Sequence, residues 1–310
     1  MMKRKNLLFR GLLAVAAVPM LMASCNSDEP RPEINQYVTI GRVGVGEMET
    51  RAGYDATNNF LPTSSTDSLT LFVKSSLSDA KYSRDLLQFS CDGAKWTTKN
   101  PLEWGGGTAN WSAFYGATSK DIVYNSKSKK YELRINYYYE QYNRDLLYAY
   151  GTTSTGSLGI NFKHLTAKLR YNIHIISGPD PIENLRGLCK RDYSQVNEIN
   201  IGEEITIAPE YVYSNDLLFK IHPELKVTPT NGATYSYEYL TFPIEVSDLY
   251  NYYISGIGTE GSSNMQGPTI IESNKSYVFD VYIADGKILK ADVTIKAWED
   301  IENAANLETK

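Results

Sequence analysis

"KSYVFDVYIADGKILKADVTIKAW" (275–298) decides the fold class. In its first half Tyr277, Phe279, Val281 and Ile283 occupy every second position. In its second half Leu289, Ala291, Val293, Ile295 and Ala297 do the same. A period of two is the mark of a strand that buries one face. Between the halves lies "ADGK" (284–287), and Asp-Gly tolerates the positive φ that a two-residue turn requires. The stretch therefore reads as a β-hairpin with one side packed on a second sheet.

The same texture runs through the rest of the chain. Tyr is the recurrent aromatic, with 24 copies against six Met. Short alternating runs of Tyr, Thr, Val and Ile are broken by Gly, Asn, Asp, Ser and Pro, the all-β signal. "SLTLFVK" (68–74), "YELRINYYY" (131–139), "LLYAYGT" (146–152), "AKLRYNIHII" (167–176), "EEITIAP" (203–209), "YSYEYLTFPI" (235–244) and "NYYISGIG" (251–258) all fit. Helical signals are few; "DPIENLRGLCK" (180–190) has room for one turn. A soft, polar, Gly-containing segment, "TTSTGSLG" (152–159), precedes a long strand and marks a domain boundary. The expected fold is all-β with little helix, as two β-sandwich domains in tandem, residues 37–157 and 158–310.

Residues 1–24 read as a signal peptide. Lys3, Arg4, Lys5 and Arg10 precede a short apolar core, "LLAVAAVPMLMA", too short to span a bilayer as a stable helix. "LMASC" ends the run at Cys25 and resembles a bacterial lipobox, with Met22 where Leu is more usual. The implied chemistry is diacylglycerol on the Cys25 thiol, cleavage of the signal and acylation of the new amine. Two or more acyl chains anchor firmly where one does not. The other reading is an ordinary cleaved signal with an incidental Cys. Residues 25–36 then form a polar, acidic tether carrying Pro30 and Pro32. An acidic run just after such a Cys resembles the surface-export signal of Bacteroidetes lipoproteins, which points to the outer membrane and an outward face.

Composition excludes several functions. Four of the 31 basic residues lie in the signal, leaving 27 against 36 acidic ones, or about −9. That is no footprint for nucleic acid. Cys91 and Cys189 are far apart in sequence and carry no spacing signature; they read as two buried thiols, with pairing open. His164, His174 and His222 show no metal spacing, so no metal ligand is assigned. "GVGEME" and "WGGGTANW" lack the Lys-Ser/Thr of a phosphate loop, and no cofactor is expected. Carboxylate pairs at 202–204 and 298–300 read as solvated surface, and no catalytic residue is assigned. The tyrosines of "NYYYEQYN" (136–143) suit either a sandwich rim or a platform that stacks on sugar rings. The second option supports an alternative function, a lipid-anchored glycan-binding protein of a polysaccharide uptake system.

Four stretches together resemble the fimbrillin family of Bacteroidetes, the lipoprotein-derived subunits of type V pili. They are "WTTKNPLEWGGGTANWSAFYGA" (96–117), "RDLLYAYG" (144–151), "INFKHLTAKLRYNI" (160–173) and "SNKSYVFDVYIADGKILKADVTIKAWED" (273–300). The first departs from the family pattern in having Ser112, not Pro, after Trp111. The resemblance implies transthyretin-like, Greek-key sandwiches and a structural, adhesive role in a fimbria. Its partners would be other pilus subunits in a homo- or hetero-polymer, the outer membrane through the lipid, and a host or bacterial surface receptor. In polymerising members an arginine-specific protease cuts after an Arg downstream of the first strand. Arg51 in "METRAG", followed by Ala52, stands at that position.

The cut would strip "YVTIGRVGV" (37–45) from its sheet, a strand of about 30 Å at ~3.3 Å per residue. Val38, Ile40, Val43 and Val45 form its apolar set. The alternation slips between Ile40 and Val43, so a bulge is expected at Gly41–Arg42. These four residues would plug a groove that a strand from the next subunit refills. The polar tail after Trp298, "EDIENAANLETK", makes a poor donor strand. Stalk, tip and anchor roles stay open.

Overall fold

A computed structural model describes residues 37–45, 68–91, 95–137, 145–178, 182–187, 193–212, 219–220, 226–227, 231–246, 253–257, 261–264, 268–285 and 287–298. All of them fall in the unit Ile34–Lys310. Strands dominate, and the helical element among the described residues is the single 3-10 turn Ala80–Tyr82.

The largest sheet has seven strands in the order β1-β9-β8-β5-β2-β3-β4. These are β1 (Thr39–Val45), β9 (Ser157–His164), β8 (Leu147–Thr153), β5 (Ala109–Tyr115), β2 (Ser68–Ser75), β3 (Arg84–Cys91) and β4 (Trp96–Thr97). Its strands bury residues on both faces. Leu69, Leu71, Trp111, Ala113, Ile160 and Phe162 point into one core. Phe72, Phe114 and Tyr148, at the intervening positions, point into another. That second core is closed by Leu133 and Ile135 of a three-stranded sheet, β12 (Tyr193–Glu198), β7 (Lys130–Tyr137) and β6 (Ile122–Asn125).

The "TTSTGSLG" segment belongs to this sheet. It contains the end of β8, the turn and the start of β9, two strands that pair antiparallel from Leu147↔His164. The turn closes at Gly156, where φ is +74° and a Cβ would meet the Trp104 ring at 2.7 Å. Only glycine meets both demands.

A four-stranded sheet carries the third core. Its order is β16 (Thr234–Thr241), β10 (Ala167–Ser177), β21 (Lys275–Ala284) and β22 (Lys287–Ala297). Leu169, Tyr171, Ile173 and Ile175 of β10 lie beside Tyr277, Phe279, Val281 and Ile283 of its parallel neighbour β21. Facing them are Ile244, Val246 and Ile271 from the small sheet of β13 (Glu210–Val212), β17 (Ile244–Val246) and β20 (Ile270–Ile271). A further sheet joins β14 (Phe219–Lys220), β11 (Ile182–Gly187), β18 (Tyr253–Ile257) and β19 (Gly261–Asn264), with β15 (Lys226–Val227) also on β11.

The hairpin of 275–298 is present, and Asp285 has φ +48° at its turn. One detail differs. The register shifts between Tyr282 and Ile283, with Tyr282 opposite Lys290 and Ile283 opposite Ile288. Leu289 is the skipped residue and is 64% exposed, while Ile288, Ala291 and Val293 pack on the core. The bulge switches parity only at the turn end of the strand, so Ile288 takes the inward place expected of Leu289.

Two other expectations are corrected. Residues 182–187 form β11 and not a helical turn, because sheet partners on both sides satisfy the backbone of a segment with weak intrinsic preference. Residues 203–209 are not a strand. Ile205 and Ile207 are buried in the second core, so their alternation reports one-sided burial of an extended segment that has no ladder of its own.

Candidate functional site

The residues singled out as a removable plug lie at the edge of the seven-stranded sheet. Val38 donates its N–H to the Leu102 carbonyl at 2.8 Å, and Thr39 to that of Gly156 at 2.9 Å. From there β1 runs parallel to β9: Ile40 opposite Leu158, Arg42 opposite Gly159, Val43 opposite Ile160, Val45 opposite Phe162. Gly41 is skipped in this register, and a Cβ there would meet Ser157 Oγ at 2.8 Å. The bulge reverses the parity of the strand, so Ile40 before it and Val43 after it face the same core.

Burial along the strand is uneven. Val38 and Val43 are 2% and 1% exposed, and Ile40 and Val45 are half-buried against the same cluster. At ~1.5–3 kcal/mol for a fully buried aliphatic side chain, the two valines alone contribute about 3–6 kcal/mol. Beneath them lie Leu102, Trp104, Ile160 and Phe162. Removing β1 would expose that apolar floor together with the free backbone edge of β9.

Connectivity bears on whether removal is possible. β1 sits at one edge, and the next strand, β2, is four places away in the sheet. Residues 46–67 are the only covalent link from β1 to the later strands. Arg51 and Ala52 fall in that link and, like Cys25, lie outside the described residues. A cut there would leave β1 held by side-chain burial and one row of hydrogen bonds.

Ser112, the departure from the family pattern, has a visible task. Gly202 N–H donates to Ser112 Oγ at 2.9 Å, Ser112 and Tyr148 Oη are 3.1 Å apart, and Tyr148 O–H donates to the Glu203 carbonyl. This buried relay pins residues 202–203 to β5 and β8. Burial pushes the Tyr148 phenol up to about 12, with the Ser112 hydrogen bond pulling the other way. Sequence reasoning had no means of finding the relay, because its partners are 36 and 90 positions from Ser112.

The histidines have structural surroundings. His164 Nδ1 is 2.7 Å from Asp145, which also accepts from the Thr166 hydroxyl at 2.9 Å, and its ring stacks on Trp298 at 3.8 Å. His174 bridges Thr234 and Asp280 on the four-stranded sheet. His222 and Cys189 lie outside the described residues, and Cys91 is buried with a free thiol. Among the described residues no group of His, Cys, Asp and Glu is arranged to hold a metal ion. Of the tyrosines at 137–139, Tyr137 ends β7 and the other two are outside the described residues.

No family model matches the chain, and no curated protein does either. Solved structures do. A candidate cell adhesion protein from Bacteroides ovatus ATCC 8483 aligns with TM-score 0.55 and 13% identity, over 84% of this chain and 98% of its own. Another, from Bacteroides uniformis ATCC 8492, aligns with TM-score 0.51 and 10% identity, over 85% of this chain and 99% of its own. The tip fimbrial protein Mfa3 from Porphyromonas gingivalis, with C-terminal truncation, reaches TM-score 0.43 and 9% identity, over 75% and 94% of the two chains. The chain shares the fold of the first two; the third score does not establish a common fold.

Proposed function

We propose that this chain is a non-enzymatic structural subunit of a surface fimbria, serving adhesion. It is exported as a lipoprotein anchored through Cys25 in the outer membrane, and built from two sandwich domains. In this reading β1 is a self-supplied plug. Cleavage between Arg51 and Ala52 releases residues 25–51, Val38 and Val43 leave their core, and a strand from a neighbouring subunit fills the vacated edge of β9. Assembly is thereby coupled to processing, since the uncut chain keeps its own edge covered.

The observation that carries the reading is the placement of β1: an edge strand, anchored by buried valines, whose covalent tie to the later strands is the segment holding Arg51. The two proteins that share the fold are themselves named for cell adhesion, which supports the surface role. Treatment of the native protein with an arginine-specific protease tests it. The expected products are a new N-terminus at Ala52 and oligomers in light scattering, with Arg51→Ala abolishing both. A clipped protein that stays monomeric with every candidate partner, or that keeps residues 25–51 bound indefinitely, overturns it.

A further inference from the structure

A groove of about 680 Å³ opens on the sheet face opposite the plug's core. That volume lies within the ~300–1,000 Å³ typical of small-molecule sites. Its floor is Tyr150 of β8 with Asn161 and Lys163 of β9; its walls are residues 204–207 on one side and Ile270 and Glu272–Asn274 on the other. The floor is rigid, because Tyr150 stacks on buried Tyr148 with ring centroids 5.9 Å apart and planes 21° apart. The first wall is rigid too, because the Ser112–Tyr148 relay fixes Gly202 and Glu203 at its base. The groove is therefore preformed and costs little to organise on binding.

Its chemistry is mixed. Tyr150 is 38% exposed and Ile270 41%, which gives an aromatic face and an aliphatic lip. Around them stand an amide, Asn161, and two carboxylates, Glu204 and Glu272. Charges are cancelled locally: Lys163 pairs with Glu204 at 3.7 Å, and Lys275 with Glu272. Among the described residues of the lining, no cation is left over for an anionic group. A flat ring bordered by planar amide and carboxylate acceptors suits a ligand with an apolar C–H face and a rim of vicinal hydroxyls.

We infer that this groove binds a short neutral oligosaccharide, one sugar ring stacked on Tyr150 and its hydroxyls donating to Asn161, Glu204 and Glu272. The site is separate from the tyrosines at 137–139 and does not rest on the assembly reading; it would serve a polymerised subunit and a tethered surface domain alike.

The test is calorimetry and saturation-transfer NMR on the full-length chain with maltohexaose, cellohexaose, mannohexaose and chitohexaose, and with 3′-sialyllactose as an anionic comparison. At least one neutral hexasaccharide should bind. Tyr150→Ala should weaken it about tenfold or more, the size expected for one lost aromatic partner, and Asn161→Ala should weaken it several-fold. Tyr124→Ala, at an exposed tyrosine outside the groove, should change nothing. Thermal melts of the variants show whether each is folded. Failure of all four neutral sugars to bind, binding that survives both groove variants, or binding of sialyllactose alone overturns the inference without touching the cleavage experiment.

Discussion

The two outer strands β1 and β22 are held by different means. β1 has seven residues, pairs in parallel with a strand far along the chain, and relies on Val43 and the adjoining Val38, both buried. β22 has 11 residues and is joined to β21 by a tight turn; its ladder runs from Ala284↔Lys287 to Lys275↔Ala297, and its side chains are mostly exposed. One edge is attached mainly by side chains in a core, the other mainly by backbone hydrogen bonds and a short covalent loop. In the proposed assembly, one cut in a long link frees an edge of the first kind to exchange, and its departure would leave a shaped apolar gap. An edge of the second kind sets only half-buried residues, Ile288, Ala291 and Val293, on its core and would leave a shallower gap.

The largest effect should come from placing the same charge on both edges. Val43→Asp buries an uncompensated carboxylate and should destabilise the protein by about 4 kcal/mol or more. Ile295→Asp, at a position 49% exposed, should stay within about 0.5 kcal/mol. Urea unfolding of the two variants measures the contrast, and equal losses would break it.

A smaller effect is expected at the far end of β22. Trp298 is 3% exposed, stacks on His164 of β9, and has the Lys168 ammonium 5.0 Å from its ring centroid. Trp298→Ala should cost about 3 kcal/mol. Hydrogen exchange should rise first at residues 294–297 and leave the amides of β1 unchanged. Loss of protection in β1 instead would mean that the two edges are coupled through β9.

The smallest effect belongs to Tyr148, between the edges. Its folded-state phenol, pushed up to about 12, lies above its unfolded value near 10. The neutral phenol is favoured by folding, so its contribution is fully present below pH ~10 and is lost as pH rises through ~12, about 2 kcal/mol in all. Burial raises Tyr277 in the same direction, and that part persists in a Tyr148→Phe variant. The wild type should therefore lose more stability than Tyr148→Phe between pH 10 and 12. Identical alkaline profiles would contradict this.

Local patterns were legible and distant pairings were not. The 275–298 hairpin shows in the sequence because alternation and Asp-Gly are local marks; its bulge at Leu289 does not, since a skipped residue leaves the apolar count unchanged. At β1 the bulge was legible, because the apolar alternation slips between Ile40 and Val43. The parallel partner of β1 was not legible, since nothing in residues 37–45 names residues 157–162. The start of β9 read as a soft linker because Gly, Ser and Thr outnumber the apolar residues in "TTSTGSLG". The groove over Tyr150 was invisible for the same reason as the Ser112 relay: its walls come from segments that meet only in the folded chain. The tyrosines at 137–139 are dense in sequence, and density is legible there while exposure is not.

The parallel register of β1 also orders events in time. Val43 pairs with Ile160, 117 positions later, so the first of the described strands has the highest contact order in its sheet. At ~5–20 residues per second, roughly 6–23 s pass before its partner exists. Over that interval the antiparallel strands from β2 to β5 have neighbours already made, while β1 has none. Closing so long a loop makes the docking of β1 a slow step, whichever strand forms first.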